Sequence, residues 1–268
     1  VNYTKALSKF DIVNKEGLSV PFILNKEQQQ FLDSMTGRDV ILKARQIGFS
    51  SLILGIFTID FLLKANSRGV IISHDTNSSQ KLLDRAKYFL DSAQRKGLAV
   101  NLKYNNRSEL INSDNNASLY IGTPQSKSFG RGDTIHSLHL SEFAFYDDPQ
   151  RLLASVLQAV VPDGRVIIES TANGTNYFKQ FWDLAKTKQN GFITHFFDNT
   201  HYSPEFLKQK QSELGDLYPQ EYPSTDIEAF LSSGNPFFNK EALQVYLQQI
   251  AEPIATYATS YDLPLQTA

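Results

Sequence analysis

Asp39-Val40-Ile41-Leu42-Lys43-Ala44-Arg45-Gln46-Ile47-Gly48-Phe49-Ser50-Ser51 decides how the rest of the chain is read. It opens with a short apolar run, Val40 to Leu42, the pattern of a buried strand. A polar loop ending at Gly48 follows, and then the apolar segment Leu52 to Leu63, which reads as a helix. Strand, glycine-bearing loop and a hydroxyl residue at a helix start form the layout of a phosphate-binding P-loop. Gly48 and Ser50 stand where the second Gly and the Ser/Thr of G-x-x-x-x-G-K-[ST] belong. Lys43 occupies the first Gly position and Phe49 the Lys position, so the cations of the loop are Lys43 and Arg45. Taken alone, the stretch is equally compatible with an ordinary strand–loop–helix crossover.

Working outward, composition sets bounds. The chain has 268 residues, enough for one large α/β domain with a full core or one domain plus an appendage. Hydrophobic residues make up 41%, which argues against wholesale disorder. With no cysteine, disulfides and thiolate metal sites are excluded. The net charge of -2 gives no global pull toward nucleic acid, so any such contact must come from a local patch. Apolar runs fall short of the roughly 18–20 residues that span a bilayer. The longest is broken by Gly55 and Asp60, and the first residues carry Lys5, Lys9 and Asp11 rather than an apolar signal segment. No membrane partner is expected.

Upstream of the loop, Asn25 is a candidate N-cap for a helix with Phe31, Leu32 and Met35 on one face. Gln28, Gln29 and Gln30 sit on it, either as a solvated face or as amides able to read an adenine edge. Downstream, Gly69 to His74 reads as a strand, with a helix from Gln80 to Ala93 capped within Asn77–Ser79. Segments 99–102, 109–111 and 119–121 read as a small antiparallel excursion. Ile135 to Glu142 is β-compatible and ends in Ser141-Glu142. That ending resembles a Walker B element with Ser in place of the usual Asp, or else a surface Glu at a strand end. A helix is expected from Asp147-Asp148-Pro149 to about Val161, then a strand from Gly164 to Ser170 ending in Ser170-Thr171-Ala172-Asn173-Gly174. A helix from Asn176 to Lys186 and a strand from Gly191 to Phe197 follow. Helices are then expected over 204–214, 224–231 and 239–250. The alternation predicts a mainly parallel sheet flanked by helices. Three strand ends, at 43–51, 141–142 and 170–174, carry polar clusters, and in open α/β sheets ligands bind at those ends. Gly-x-Ser-x-Gly is absent, and the five His residues show no metal-ligand spacing.

Together these motifs resemble the ATPase domain of the large terminase subunit of tailed bacteriophages. The matching stretches are Gln28–Leu32, Lys-Ala-Arg-Gln-Ile-Gly-Phe-Ser at 43–50, Phe-Gly-Arg-Gly at 129–132, Leu-Ser-Glu-Phe-Ala at 140–144, Ser-Thr-Ala-Asn-Gly at 170–174, and Tyr-Pro-Ser-Thr-Asp-Ile-Glu-Ala-Phe from 222. The resemblance implies a P-loop NTPase of the ASCE/RecA-like kind with a C-terminal helical lid. The core would be residues 1–198, and residues 199–268 the lid and a linker toward a nuclease domain absent from this chain. It implies ATP and Mg2+ as ligands. Lys43 would pair with the β/γ-phosphates, Arg45 would reach them from the loop, and residues Ala44, Gln46, Ile47, Gly48, Phe49, Ser50 and Ser51 would cradle them. Ser50 and Ser141 would hold Mg2+, Ser141 directly or through water. Glu142 would be the catalytic carboxylate, and Arg131 a finger inserted into a neighbouring subunit, worth roughly 10³–10⁵ in rate in related NTPases. Ser170, Thr171 and Asn173 would couple γ-phosphate loss to the lid, and Gln28 or Gln29 would read adenine. Implied partners are double-stranded DNA, the portal protein, the small terminase subunit and further copies in a ring, a pentamer among the sizes, with a monomer in isolation. The place of action would be the host cytoplasm, at the procapsid portal. Lys103, Arg107, Lys127, Lys208 and Lys210 are candidate DNA contacts, each also readable as solvated surface. A helicase-like translocase and a non-hydrolysing nucleotide-binding module are the alternatives.

Overall fold

A computed structural model of the chain describes residues 1–122, 132, 134–231, 245, 246 and 249. The chain divides into two compact units, Val1–Gly234 and Asn235–Ala268. In the second, Val245 and Tyr246 are helical, and the rest of the helix expected over 239–250, apart from Gln249, lies outside the described residues.

The first unit opens with helix α1 (Tyr3–Leu7) and a hairpin of β1 (Asp11–Val13) and β2 (Ser19–Pro21). Elements of three to five residues are too short to show a period in the sequence. Helix α2 (Lys26–Ser34) starts at a capping box: Asn25 accepts from the Gln28 amide, and the Gln28 side chain accepts from the Asn25 amide. Strand β3 (Arg38–Lys43) runs into helix α3 (Phe49–Leu63), and β4 (Arg68–Ile72) into α4 (Thr76–Arg95). The cap of α4 is Asp75, whose carboxylate accepts from Ser78 N, so the helix starts earlier than the Asn77–Ser79 cap implied. Strands β5 (Leu102–Asn105), β6 (Glu109–Asn112) and β7 (Ser118–Ile121) form the antiparallel excursion, the first of them shifted beyond 99–102.

Strand β8 (Ile135–Ser141) leads through a 3-10 turn to α5 (Pro149–Val156). The helix expected to reach Val161 stops at Val156, because Val160 already pairs with Ile135 in β9 (Val160–Ser170). The β-branched pair Val160-Val161 before Pro162 suits a strand better than a helix end. Helix α6 (Tyr177–Lys186) and β10 (Ile193–Phe197) complete the core. Then come α7 (Pro204–Leu214), α8 (Tyr218–Glu221) and α9 (Asp226–Leu231). Thr225, not Ser224, precedes α9 and accepts from Glu228 N.

Eight strands form one sheet in the order β10-β3-β9-β8-β4-β7-β6-β5, parallel from β10 through β7 and antiparallel at β6 and β5. One face buries Ile41, Ile71 and Ile167 against α3 and α4. The other buries Val40, Leu42, Leu138, Leu140, Val166 and Ile168 against α5, α6 and α9. The start of β3 is fixed to β10 by His195 Nε2, 2.9 Å from the Asp39 carboxylate. Burial alone would raise the Asp39 carboxyl, but hydrogen bonds from His195, Thr36 and Gly37 outweigh it and hold it below its ordinary value. No helix of the described residues is long and apolar enough to cross a membrane.

Candidate functional site

The loop between β3 and α3 is built by two left-handed residues, Gln46 (φ 61°) and Gly48 (φ 85°). A Cβ at Gly48 would lie 2.7 Å from the Gln28 amide nitrogen, which donates to Gly48 O, so a substitution would displace that amide and strain the left-handed backbone. Gly48 caps α3 without a side-chain bond, leaving the first-turn amides of α3 for an anion. Ala44, Ile47 and Phe49 turn their side chains into the core and can serve a ligand only through backbone. Phe49, where a lysine would stand, packs 5.7 Å from Phe31 and 4.5 Å from Phe197, centroid to centroid. Phe49→Ala is therefore expected to cost about 3–5 kcal/mol in urea unfolding. Phe49→Lys, which restores the usual motif, is expected to unfold the chain instead of improving nucleotide binding.

In a parallel sheet, registered residues face the same side. Ile41 pairs with Glu169 and Ser141 with Glu169, so Lys43, Ser141 and Glu169 share the α3 face at one end of the sheet. Lys43 is 4% exposed, with Nζ 3.2 Å from Glu142 and 3.1 Å from Glu169. Burial would lower the Lys43 ammonium, but the two carboxylates outweigh it and raise it far above its ordinary value. Glu169 is fully buried. Burial would raise its carboxyl; Lys43, with hydrogen bonds from His139 and Ser141, outweighs burial and holds it far below the usual range. Both partners are thus charged. Glu142 adopts a left-handed backbone (φ 55°), a strained conformation for a non-glycine residue of the sort found at functional sites.

Lys43 and Glu142 line one end of a cleft of about 710 Å³. Its wall includes Lys15, Lys43, Arg45, Gly48, Ser50 and Ser51, with His74, Arg85, Glu142, Thr171 and Glu221 around it. The volume falls within the range of small-molecule sites. Arg85 Nη1 donates to Ser51 Oγ at 3.1 Å. Arg45 is drawn to α8 instead: its guanidinium pairs with Glu221 at 3.0 Å, its amide donates to Glu221 O, and its carbonyl accepts from the Tyr202 hydroxyl. Of Ser170, Thr171 and Asn173, Thr171 lines the cleft. Ser170 Oγ accepts from Ala144 N, and Asn173 donates to Ala144 O. The end of β9 is thereby bonded to the turn that carries Glu142.

The Gln28 amide bonds to Asn25 and Gly48, the Gln29 amide donates to Asp33, and neither residue lines the cleft. Ser141 is buried and its hydroxyl donates to Glu169, away from the cleft wall. Arg131 and Lys127 lie outside the described residues. Lys103, Arg107 and Lys208 are exposed, the first two on the β5–β6 edge. The sequence reading missed Glu169, Arg85, Lys15, His74 and Glu221. Only Glu169 left a trace, as a charge at the end of the apolar run Val166-Ile167-Ile168.

No protein-family model matches the sequence. Solved structures do match. The ATPase domain of the Thermus phage P74-26 large terminase aligns with a TM-score of 0.61 at 17% identity, over 74% of this chain and 92% of that one. The HK97 bacteriophage large terminase gives 0.61 at 17% identity, covering 92% of this chain and 52% of its own. The large terminase of a thermophilic bacteriophage, in complex with ADP, gives 0.60 at 12%, covering 75% and 53%. This chain spans about half the length of the last two. The family that the motifs resembled is thus the one whose solved structures align, and the chain has the fold of the large-terminase ATPase domains, a P-loop ATPase fold.

Proposed function

We propose that the chain is the ATPase of a viral genome-packaging motor, hydrolysing ATP to move double-stranded DNA into a procapsid. The observation that carries this reading is the meeting of Lys43, Ser50 and Glu142, from three separate segments, at one cleft beside an uncapped helix start. In this reading the first-turn amides of α3 bind the phosphates and Lys43 leaves Glu142 to pair with the β/γ-phosphates. Glu142, freed of its ammonium partner, orients and polarises the attacking water.

The donor set fits a magnesium ion. Among the described residues no group of three or more His, Cys, Asp or Glu forms a cage. Mg2+ instead keeps several waters and needs only one or two protein oxygens beside the phosphates, here supplied around Ser50. When bound it would neutralise charge on the β- and γ-phosphates.

Residues 1–198 act as the catalytic core and 199–268 as lid and linker. The bonds from Arg45 to Glu221 and Tyr202 support a lid that senses the loop. Arg131 serves a neighbouring copy in a ring docked on the portal, in the host cytoplasm, with the small terminase subunit as a further partner. Specific activity should then rise with protein concentration, and Arg131→Ala should lower it by roughly 10³–10⁵ under assembling conditions. Activity independent of concentration, with Arg131→Ala harmless, would remove the finger. Phosphate release with and without DNA tests the function as a whole. Stimulation by double-stranded DNA is expected; hydrolysis indifferent to DNA would favour another NTPase, and binding without hydrolysis a nucleotide-binding module.

A further inference from the structure

The carboxylate that P-loop ATPases place beside the helix-start hydroxyl is absent from its expected strand, where Ser141 stands. The neighbouring strand supplies one. Glu169 on β9 lies in register with Ser141 on β8. Its Oε1 accepts from Ser50 Oγ at 2.7 Å and from Ser141 Oγ at 2.7 Å, with His139 Nε2 at 3.3 Å. Its Oε2 makes an ion pair with Lys43 at 3.1 Å and accepts no hydrogen bond among the described residues. Ser141, in this arrangement, is a spacer that helps aim the carboxylate.

We propose that Glu169 takes the place of the missing carboxylate as a positioning residue: it fixes the Ser50 hydroxyl so that the oxygen lone pairs face a divalent cation bound with the nucleotide. A serine hydroxyl has one proton and two lone pairs. Once the proton is given to Glu169, only acceptor capacity is left toward the cleft, which suits a cation and not a further acceptor. Glu169 does not line the cleft, so it acts through Ser50. The inference rests on the nucleotide-site reading above, and names the part of that site which tunes its metal.

Magnesium titration at a fixed concentration of a fluorescent ATP analogue, with the full chain, separates this role from that of a plain counter-ion to Lys43. Glu169→Gln should weaken the magnesium-induced tightening, the ratio of affinities with and without magnesium, by about 10–100-fold. Adding Ser141→Asp to Glu169→Gln should restore the tightening by returning a carboxylate to the adjacent strand. Glu169→Asp, which keeps the charge with a shorter reach, should fall between, and carries the same comparison if Glu169→Gln does not fold. Equal losses with and without magnesium, an unchanged magnesium response, or no recovery in the double variant would overturn the proposal. A parent chain that binds no nucleotide under either condition would instead overturn the nucleotide site itself.

Discussion

Lys43→Ala is expected to abolish ATP binding and to lower stability by about 3–5 kcal/mol, the cost of leaving a buried charge without its partner. The stranded charge is Glu169, fully buried, since Glu142 is partly exposed and can turn to solvent. Urea unfolding and analogue binding, measured on the same preparation, check both halves. Lys43→Arg should fold better than Lys43→Ala but not restore binding, because a planar fork cannot occupy the point between two carboxylates that an ammonium fills. The pH dependence carries a sign. In the parent, Glu169 is depressed below its ordinary 4.5, so its contribution is present above that value and is lost as pH falls toward the folded value. In Lys43→Ala the Lys43 charge that lowers Glu169 is lost and its carboxyl rises relative to the parent, while the hydrogen bonds from His139 and Ser141 still lower it. The variant should therefore lose less stability than the parent as pH falls below the ordinary 4.5. A variant with the parent's pH profile would mean that Lys43 does not hold Glu169 ionised.

Glu142→Gln should reduce ATP turnover by at least about 10²–10⁴, the range of a lost general base, while leaving analogue binding close to that of the parent. Glu142 is the more exposed of the two carboxylates on Lys43, and Lys43 keeps Glu169 when it is removed. The fold should therefore survive, and its melting temperature should move little. Loss of binding along with turnover would make Glu142 a structural residue of the Lys43 pocket. The left-handed backbone at Glu142 adds a second expectation. Glu142→Gly should relieve the strain and retain the fold, yet be as inactive as Glu142→Gln. These two effects, on Lys43 and on Glu142, separate binding from chemistry within a pair of residues 3.2 Å apart.

The sequence carried the loop and the strand that ends in Glu142 because each is local. Val40 to Leu42 before a glycine loop, and Ser141-Glu142 at the end of a β-compatible run, need no knowledge of what lies beside them. Glu169 needed such knowledge. Its value comes from the strand order β3-β9-β8, which places β9 between the other two and sets Glu169 opposite both Ile41 and Ser141. A pattern of period two tells which face a residue takes, not which strand comes next. The same holds for Arg45, whose partner Glu221 lies far along the chain. Gln28 lies at the other extreme: three residues after Asn25, it stands at a capping-box spacing that a local rule describes. Phe49 shows local consensus yielding to packing: the aromatic cluster with Phe31 and Phe197 takes the motif position, and the ammonium at the cleft is that of Lys43 at the strand end.

The cleft over Lys43, Gly48 and Ser50 is the proposed Mg–ATP site. A crystal structure of the chain with magnesium and a non-hydrolysable ATP analogue should show the β- and γ-phosphates on the first-turn amides of α3, with Lys43 Nζ moved from Glu142 to the phosphate oxygens and Ser50 Oγ on the metal while still donating to Glu169. An analogue bound elsewhere, or bound in the cleft with Lys43 still held between Glu142 and Glu169, would contradict it.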